Sequence, residues 1–194
     1  WEGVTSLKEA LAMLTAQAKR TPDGQWVRVI GGWTPYQFKE KRMPTLKELN
    51  DAVPDKPLFV LHLYSGGFLN KAGVRALGLT KDTPAPEGSV IEKDENGNPT
   101  GLLIADPHPT ILYQTVAALP QLSAEEQLNS TLQFYNTLLS LGVTSAIDAG
   151  GGGHQFPEDY TSSTLLAEQA KLPLRVSNYL FPQKPGKEAA QFHE

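Results

Sequence analysis

At three points in the chain a hydroxyl residue is followed three positions later by glutamate, and then by apolar residues at helical spacing. Ser6-Leu7-Lys8-Glu9, Thr45-Leu46-Lys47-Glu48 and Ser123-Ala124-Glu125-Glu126 are capping boxes, in which the hydroxyl satisfies a first-turn amide and the carboxylate reaches back. After the first, Leu7, Leu11, Leu14 and Ala18 predict an amphipathic helix over residues 6–19, stopped by Thr21-Pro22-Asp23-Gly24. The second opens a short helix to about Ala52. After the third, the stripe Leu128, Leu132, Tyr135 and Leu139 runs up to Gly142, which suits the left-handed position beyond a helix end.

Strand patterns lie between these helices. Trp26 to Ile30 is rich in β-formers and closed by Gly31-Gly32, and Leu58 to Leu63 is a nearly continuous apolar run, as in a strand covered on both faces. Ser65-Gly66-Gly67 reads as its end, with a helix from about Leu69 to Leu77. Residues 80–88, with Pro84 and Pro86, read as a loop. Ser89-Val90-Ile91 and Gly101 to Ile104 predict a hairpin that turns at Asn96-Gly97. Farther on, Val143 to Ile147 and Leu174 to Leu180 read as strands separated by a helix over residues 158–171, with another helix from about Gly186. Helix, strand, helix, strand, helix at short spacing predicts right-handed parallel β-α units, hence an α/β fold.

Composition adds limits. With 194 residues, 40% of them hydrophobic, the chain can bury a core as one domain or as part of a larger one. The balance of 17 basic and 21 acidic residues gives a net charge of −4, and no Lys/Arg run makes a phosphate-neutralising stripe, so nucleic acid is not an expected partner. No apolar run approaches the ~18 residues of a membrane helix, so no membrane partner is expected either. The absence of cysteine excludes disulfides and thiolate metal sites and leaves the compartment, cytoplasmic or periplasmic, open. A start at Trp1 and an end at Glu194, just after a fresh helix start, lead us to expect a piece of a longer protein.

The stretch LGVTSAIDAGGGGHQFPEDY, residues 141–160, carries the most suggestive chemistry. In parallel α/β folds ligands bind where strands end, which is where Asp148 and the four glycines fall. Asp148 can orient a substrate, bind a metal or act as a base, and His154 can bind a ligand or carry a proton; a loop cap and a solvated imidazole are the plain alternatives. Glycines 150–153 before a helix could cradle a phosphate, although Glu158 and Asp159 in the following turn would repel one. His62 reads as a hydrogen-bonded core or strand-end residue, and His108, between Pro107 and Pro109, as a rigid-turn residue facing a cleft. No two of the four histidines stand at H-x-H or H-x-x-x-H spacing, so no metal site is expected within the chain.

Four segments in order, Trp26-Val27-Arg28-Val29-Ile30-Gly31-Gly32-Trp33, Arg42-Met43-Pro44-Thr45, Asn96-Gly97-Asn98-Pro99-Thr100-Gly101-Leu102-Leu103 and Leu141-Gly142-Val143-Thr144-Ser145, resemble the amidohydrolase superfamily. The branch is the one that includes N-substituted formamide deformylases and metal-dependent hydrolases. The resemblance implies a segment of a (β/α)8 TIM-type barrel. Residues 1–120 would be the first barrel helix plus an α+β insertion, and residues 121–194 would be barrel β-α units. It implies hydrolysis of C–N bonds, typically amides, of a small molecule by water activated on one or two divalent ions, usually zinc.

The family's metal-binding histidines and aspartate have no counterpart among these residues, so the metal would be held elsewhere in the full-length protein and the isolated segment would be inactive. Where many relatives carry Asp-Gly-His this chain has Leu63-Tyr64-Ser65, and where many carry an acidic residue it has Ile104-Ala105, which implies a different substrate pocket. Asp148 is then the residue expected nearest the chemistry, with Ser65, His108 and His154 on the pocket wall. Two rivals stay open: a non-catalytic module using glycines 150–153 for a small molecule or phosphate, and a complete small enzyme using Asp148, Glu158 or Asp159 with His154. Uncovered strand edges of an incomplete barrel would favour self-association.

Overall fold

A computed structural model of the chain describes residues 1–149, 157–179 and 186–191. It divides into two compact units, Trp1–Pro120 and Gln121–Glu194. Among the described residues no helix is long and apolar enough to cross a membrane.

The first unit contains α1 (Leu7–Arg20), β1 (Val27–Ile30), α2 (Leu46–Ala52), β2 (Leu58–His62), β3 (Gly66–Leu69), α3 (Lys71–Ala76), β4 (Ser89–Lys93), β5 (Pro99–Ala105) and α4 (Thr110–Ala118). Its strands form one sheet in the order β1-β2-β3-β5-β4. β1 and β2 are parallel, joined by the segment that holds α2, and the remaining pairs are antiparallel. Alternation along β2 sends Leu58 and Val60 to one side and Phe59 to the other. The first side packs with Val27, Val29 and Phe68 against Leu7 and Leu14 of α1 and Leu49 of α2. The second packs with Leu69, Ile91 and Leu103 against Ile111 and Leu112 of α4. Each face of the sheet thus has its own core, which is what the unbroken apolar run of β2 requires.

The capping boxes at Thr45 and Ser123 form as expected, with the hydroxyl accepting from the Glu48 and Glu126 amides and the carboxylates accepting from the cap amides at 2.8 Å. At the first, Ser6 accepts from the Glu9 amide, but the Glu9 carboxylate reaches one residue farther back, to the Thr5 amide. The hairpin turns where Asn96-Gly97 predicts. There the Asp94 carboxylate accepts from the amides of Asn96 and Asn98 at 2.9 Å each, and Gly97 takes φ +81°.

Two segments differ from the sequence expectation. Gly66-Gly67-Phe68-Leu69 is not a break before a helix but the strand β3, antiparallel to β2. Gly67 lies so close to β2 that a Cβ there would stand 2.6 Å from the Phe59 ring, so its glycine marks packing rather than strand termination. The helix begins at Lys71, capped by Asn70. The Asn70 side chain is wholly buried: Oδ1 accepts from the amides of Leu58 (3.0 Å) and Gly73 (2.8 Å), and Nδ2 donates to the carbonyls of Val53 (2.5 Å) and Lys56 (2.8 Å). The second difference is α4, for which no helix is expected. Ile111, Leu112, Tyr113, Val116, Ala117 and Ala118 make it apolar nearly all round, so it shows no stripe.

The second unit contains α5 (Ala124–Ser140), β6 (Ser145–Asp148), α6 (Thr161–Glu168), β7 (Arg175–Asn178) and α7 (Glu188–Gln191). β6 and β7 pair in parallel, from Ser145 opposite Arg175 to Asp148 opposite Asn178. Tyr135, Leu166 and Leu174 form the core, with Leu128, Leu132, Ala146 and Val176 against it, and the Tyr135 hydroxyl lies 2.9 Å from Ser163 Oγ. The helix expected over 158–171 is a single 3-10 turn, Glu158–Tyr160, followed by α6, which stops before Ala170 at φ +54°.

Replacing Asn70 by Ala should cost about 3 kcal/mol, because four backbone groups lose their partner and the largest cost of a buried orphan is of that order. Chemical denaturation measures it, and a loss under about 1 kcal/mol would show that water or backbone shifts substitute for the carboxamide. Glu48 is held down to about 2 by the Arg42 guanidinium first, and also by the Thr45 amide and hydroxyl. A depressed carboxylate stabilises the fold above its unfolded value of 4.5, and that contribution is lost as pH falls toward 2. In Glu48→Gln the stability difference between neutral pH and the acid range should shrink by about 1 kcal/mol, surface screening having been allowed for; an unchanged pH dependence of unfolding would refute this.

Candidate functional site

One edge of the five-stranded sheet gathers two of the four expected site residues, Ser65 and His108, together with His62. Because β1 and β2 run parallel, their carboxyl ends, Ile30 and His62, share this edge. The antiparallel partners bring the start of β3, the end of β5 and the start of β4 to the same place. The Ser65 carbonyl accepts from the Ala105 amide at 3.0 Å. Beyond Ala105 the chain passes through a cis Asp106–Pro107 bond to His108, whose amide donates to the Gly88 carbonyl at 3.2 Å and whose carbonyl accepts from Ser89 Oγ at 3.2 Å. Ser65 and His108, both exposed, therefore stand on one sheet edge although 43 residues apart in sequence.

His62 closes β2 and is half-buried. Its ring lies 5.1 Å from that of Trp33, which is fixed by an Nε1–H bond to the Leu61 carbonyl at 2.9 Å and by rings of Trp1 and Phe38 at 5.0 and 5.8 Å. Its Nδ1 is 3.2 Å from Ser65 Oγ, which also lies 3.2 Å from the His62 carbonyl. A hydroxyl has one proton. If Ser65 donates it to that carbonyl, Oγ accepts from Nδ1–H and the neutral ring keeps Nε2 as an acceptor; this network assigns the tautomer. Burial lowers the imidazole pKa below 6.5, which favours that neutral form. The edge therefore offers an acceptor nitrogen beside an indole wall, suited to a neutral N–H group. Leu63 turns the hairpin at φ +50°, and Tyr64, 71% exposed, meets the ring of Tyr113 at 6.4 Å. His62 escaped selection as a site residue because its apolar neighbours in β2 mark it as structural; Trp33, brought beside it by the parallel pairing, is the missing signal.

Asp148 ends β6, half-buried and opposite Asn178, and its carbonyl accepts from the Tyr179 amide at 2.8 Å. It belongs to the second unit, whereas Ser65 and His108 belong to the first. His154 and glycines 150–153 lie outside the described residues. Among the described residues no three His, Cys, Asp or Glu side chains converge to hold a metal ion, so those present do not fit a metal centre.

The whole chain, residues 1–194, matches the amidohydrolase family. It is 32% identical over 150 residues to the N-substituted formamide deformylase of Arthrobacter pascens, an alignment covering 75% of this chain and 27% of that protein. The chain belongs to the amidohydrolase family. A putative amidohydrolase of Bacillus subtilis (strain 168), YtcJ, is 30% identical over 132 residues, 67% of this chain and 24% of that one. The chain thus spans about a quarter of the length of these two relatives. In fold it is similar to an uncharacterised metal-dependent hydrolase from Pyrococcus horikoshii OT3, with a TM-score of 0.53 at 22% identity, over 93% of this chain and 32% of that structure. The mixed α/β character expected from the sequence is shared with that neighbour.

The His62 ring should titrate below 6.5, followed by its ring-proton NMR shifts. Since the folded state disfavours the imidazolium, the side chain contributes stability at neutral pH that falls away below 6.5. A midpoint at or above 6.5 would refute the desolvated environment of the ring.

Proposed function

We propose that the chain is a segment of a metal-dependent hydrolase that cleaves C–N bonds of a small molecule, in a parent protein built on a (β/α)8 barrel. The observation that carries this reading is the family match along all 194 residues. Three others support it. One relative is by name a deformylase of N-substituted formamides, and the structural neighbour is by title metal-dependent. The second unit also pairs two parallel strands across an intervening helix, the repeating element of such a barrel.

In this reading β6 and β7 are adjacent barrel strands, and Asp148, at the carboxyl end of its strand, faces the mouth where barrel chemistry takes place. In this reading the divalent ions depend on ligands beyond the described residues, which by themselves form no cluster of three. When bound, they would activate water and polarise the scissile carbonyl. Taken by itself, the His62–Ser65–Trp33 corner of the first unit can accept a hydrogen bond from an amide N–H. The glycines of the phosphate-cradle alternative, 150–153, lie outside the described residues.

Elemental analysis and an amide-hydrolysis assay test the proposal together. After dialysis against metal-free buffer, the 194-residue chain should carry less than about a tenth of an equivalent of zinc, manganese or iron and should not hydrolyse N-substituted formamides, whereas the full-length parent should retain metal and hydrolyse them. Stoichiometric metal in the segment would relocate the ligands into it. A metal-loaded parent inert toward amides and formamides would sink the C–N assignment.

A further inference from the structure

Between α4, the β4–β5 pair and residues 77–86 the first unit contains a cleft of about 170 Å³. Its floor is the cross-strand pair Ile91 and Leu103, and its roof is one face of α4, where Ile111, Thr115 and Ala118 follow at i, i+4 and i+7. Its outer wall includes Pro84 and Pro86, whose rings fix φ. That wall is tied down along its length. The Thr80 amide donates to Thr83 Oγ1 at 2.8 Å, Lys93 Nζ donates to the Lys81 carbonyl at 2.7 Å, and the Ser89 amide donates to the Pro86 carbonyl at 3.1 Å. The cleft is a preformed space rather than the gap under a loose flap.

Its chemistry is restrictive. No lining residue carries a charge, so an ionic ligand would give up hydration without meeting a countercharge. The Thr115 hydroxyl donates to the Ile111 carbonyl at 2.8 Å, and Thr83 Oγ1 already accepts from Thr80. The Gln114 side chain is exposed at the rim, where its carboxamide can both donate and accept. An apolar cavity of roughly 150 Å³ accommodates a benzene ring. We propose that this cleft binds a small neutral ring compound, from benzene to indole in size, with one N–H, O–H or carbonyl group that pairs with Gln114. The inference rests on the first unit alone and stands apart from the hydrolase reading.

Indole is the probe, and benzoate its charged counterpart, each titrated into the 194-residue chain and followed by saturation-transfer NMR and calorimetry. Indole should bind and benzoate should not. Ala118→Trp, which fills the roof from an exposed position, should weaken indole binding on the order of tenfold, and Gln114→Leu roughly threefold by loss of one hydrogen bond. Should Ala118→Trp fail to fold, Gln114→Leu decides alone, since it alters an exposed side chain. A loss in either folded variant supports the proposal. No indole binding to the wild-type chain, unchanged binding in every folded variant, or equal binding of benzoate would overturn it.

Discussion

The buried carboxamide of Asn70 is the constraint on which the first unit turns. Its four hydrogen bonds join the residue that ends α2, the carbonyl of Lys56, the first amide of β2 and the first turn of α3. Three of those backbone groups, on Val53, Leu58 and Gly73, are buried, so a side chain that both donates and accepts is needed at one point. The bond to Leu58 fixes where β2 begins. Leu58 in turn pairs with Val27, so the same contact bears on the register of the parallel β1–β2 pair and on the height at which His62 leaves the sheet.

Close backbone approach is the second constraint, and it explains two glycines that carry no chemistry. At Gly101 the backbone takes φ +106°, and a Cβ would lie 2.2 Å from the Leu69 carbonyl oxygen; at Gly67 it would meet the Phe59 ring. Both positions lie at the junction of β3 with its neighbours, which allows a large ring to sit beneath a short central strand. Close packing of this kind carries the hairpin tip at 63–65 and the end of β5 to one edge. The proximity of Ser65 to the His108 segment is therefore a consequence of glycines rather than of any attraction between the polar residues.

These features explain what could be read from the sequence. Capping boxes and the Asn96-Gly97 turn are local, with cause and effect within four or five residues, and α2, α5 and the β4–β5 hairpin were legible for that reason. β3 was not, because Gly66-Gly67 reads as punctuation unless the Phe59 ring that excludes a Cβ is known to lie beneath it. α4 was not, because a helix apolar on most sides has no period. Ser65 and His108 could be chosen for their chemistry, but their shared edge depends on β5 lying between β3 and β4, an order that no local pattern specifies. His62 was read correctly as a strand-end residue; its tautomer and neutral form depend on Ser65 and Trp33, one across a turn and the other 29 residues earlier.

The two units solve the problem of covering a sheet in opposite ways. In the first, helices and loops close both faces, and the antiparallel pairs need only short connections. In the second, Ala146 and Val176 face the core beneath α5 and α6, but alternation sends Ile147 and Tyr179, each 61% exposed, to the other side. Parallel strands are buried on both faces in known folds because each crossover adds cover and because their apolar residues point both ways. A two-stranded parallel pair with a large β-branched residue and a tyrosine on its open side is half of such an arrangement. Among the described residues, Ile147 and Tyr179 on that side lack the cover that both faces of a parallel sheet have in such folds.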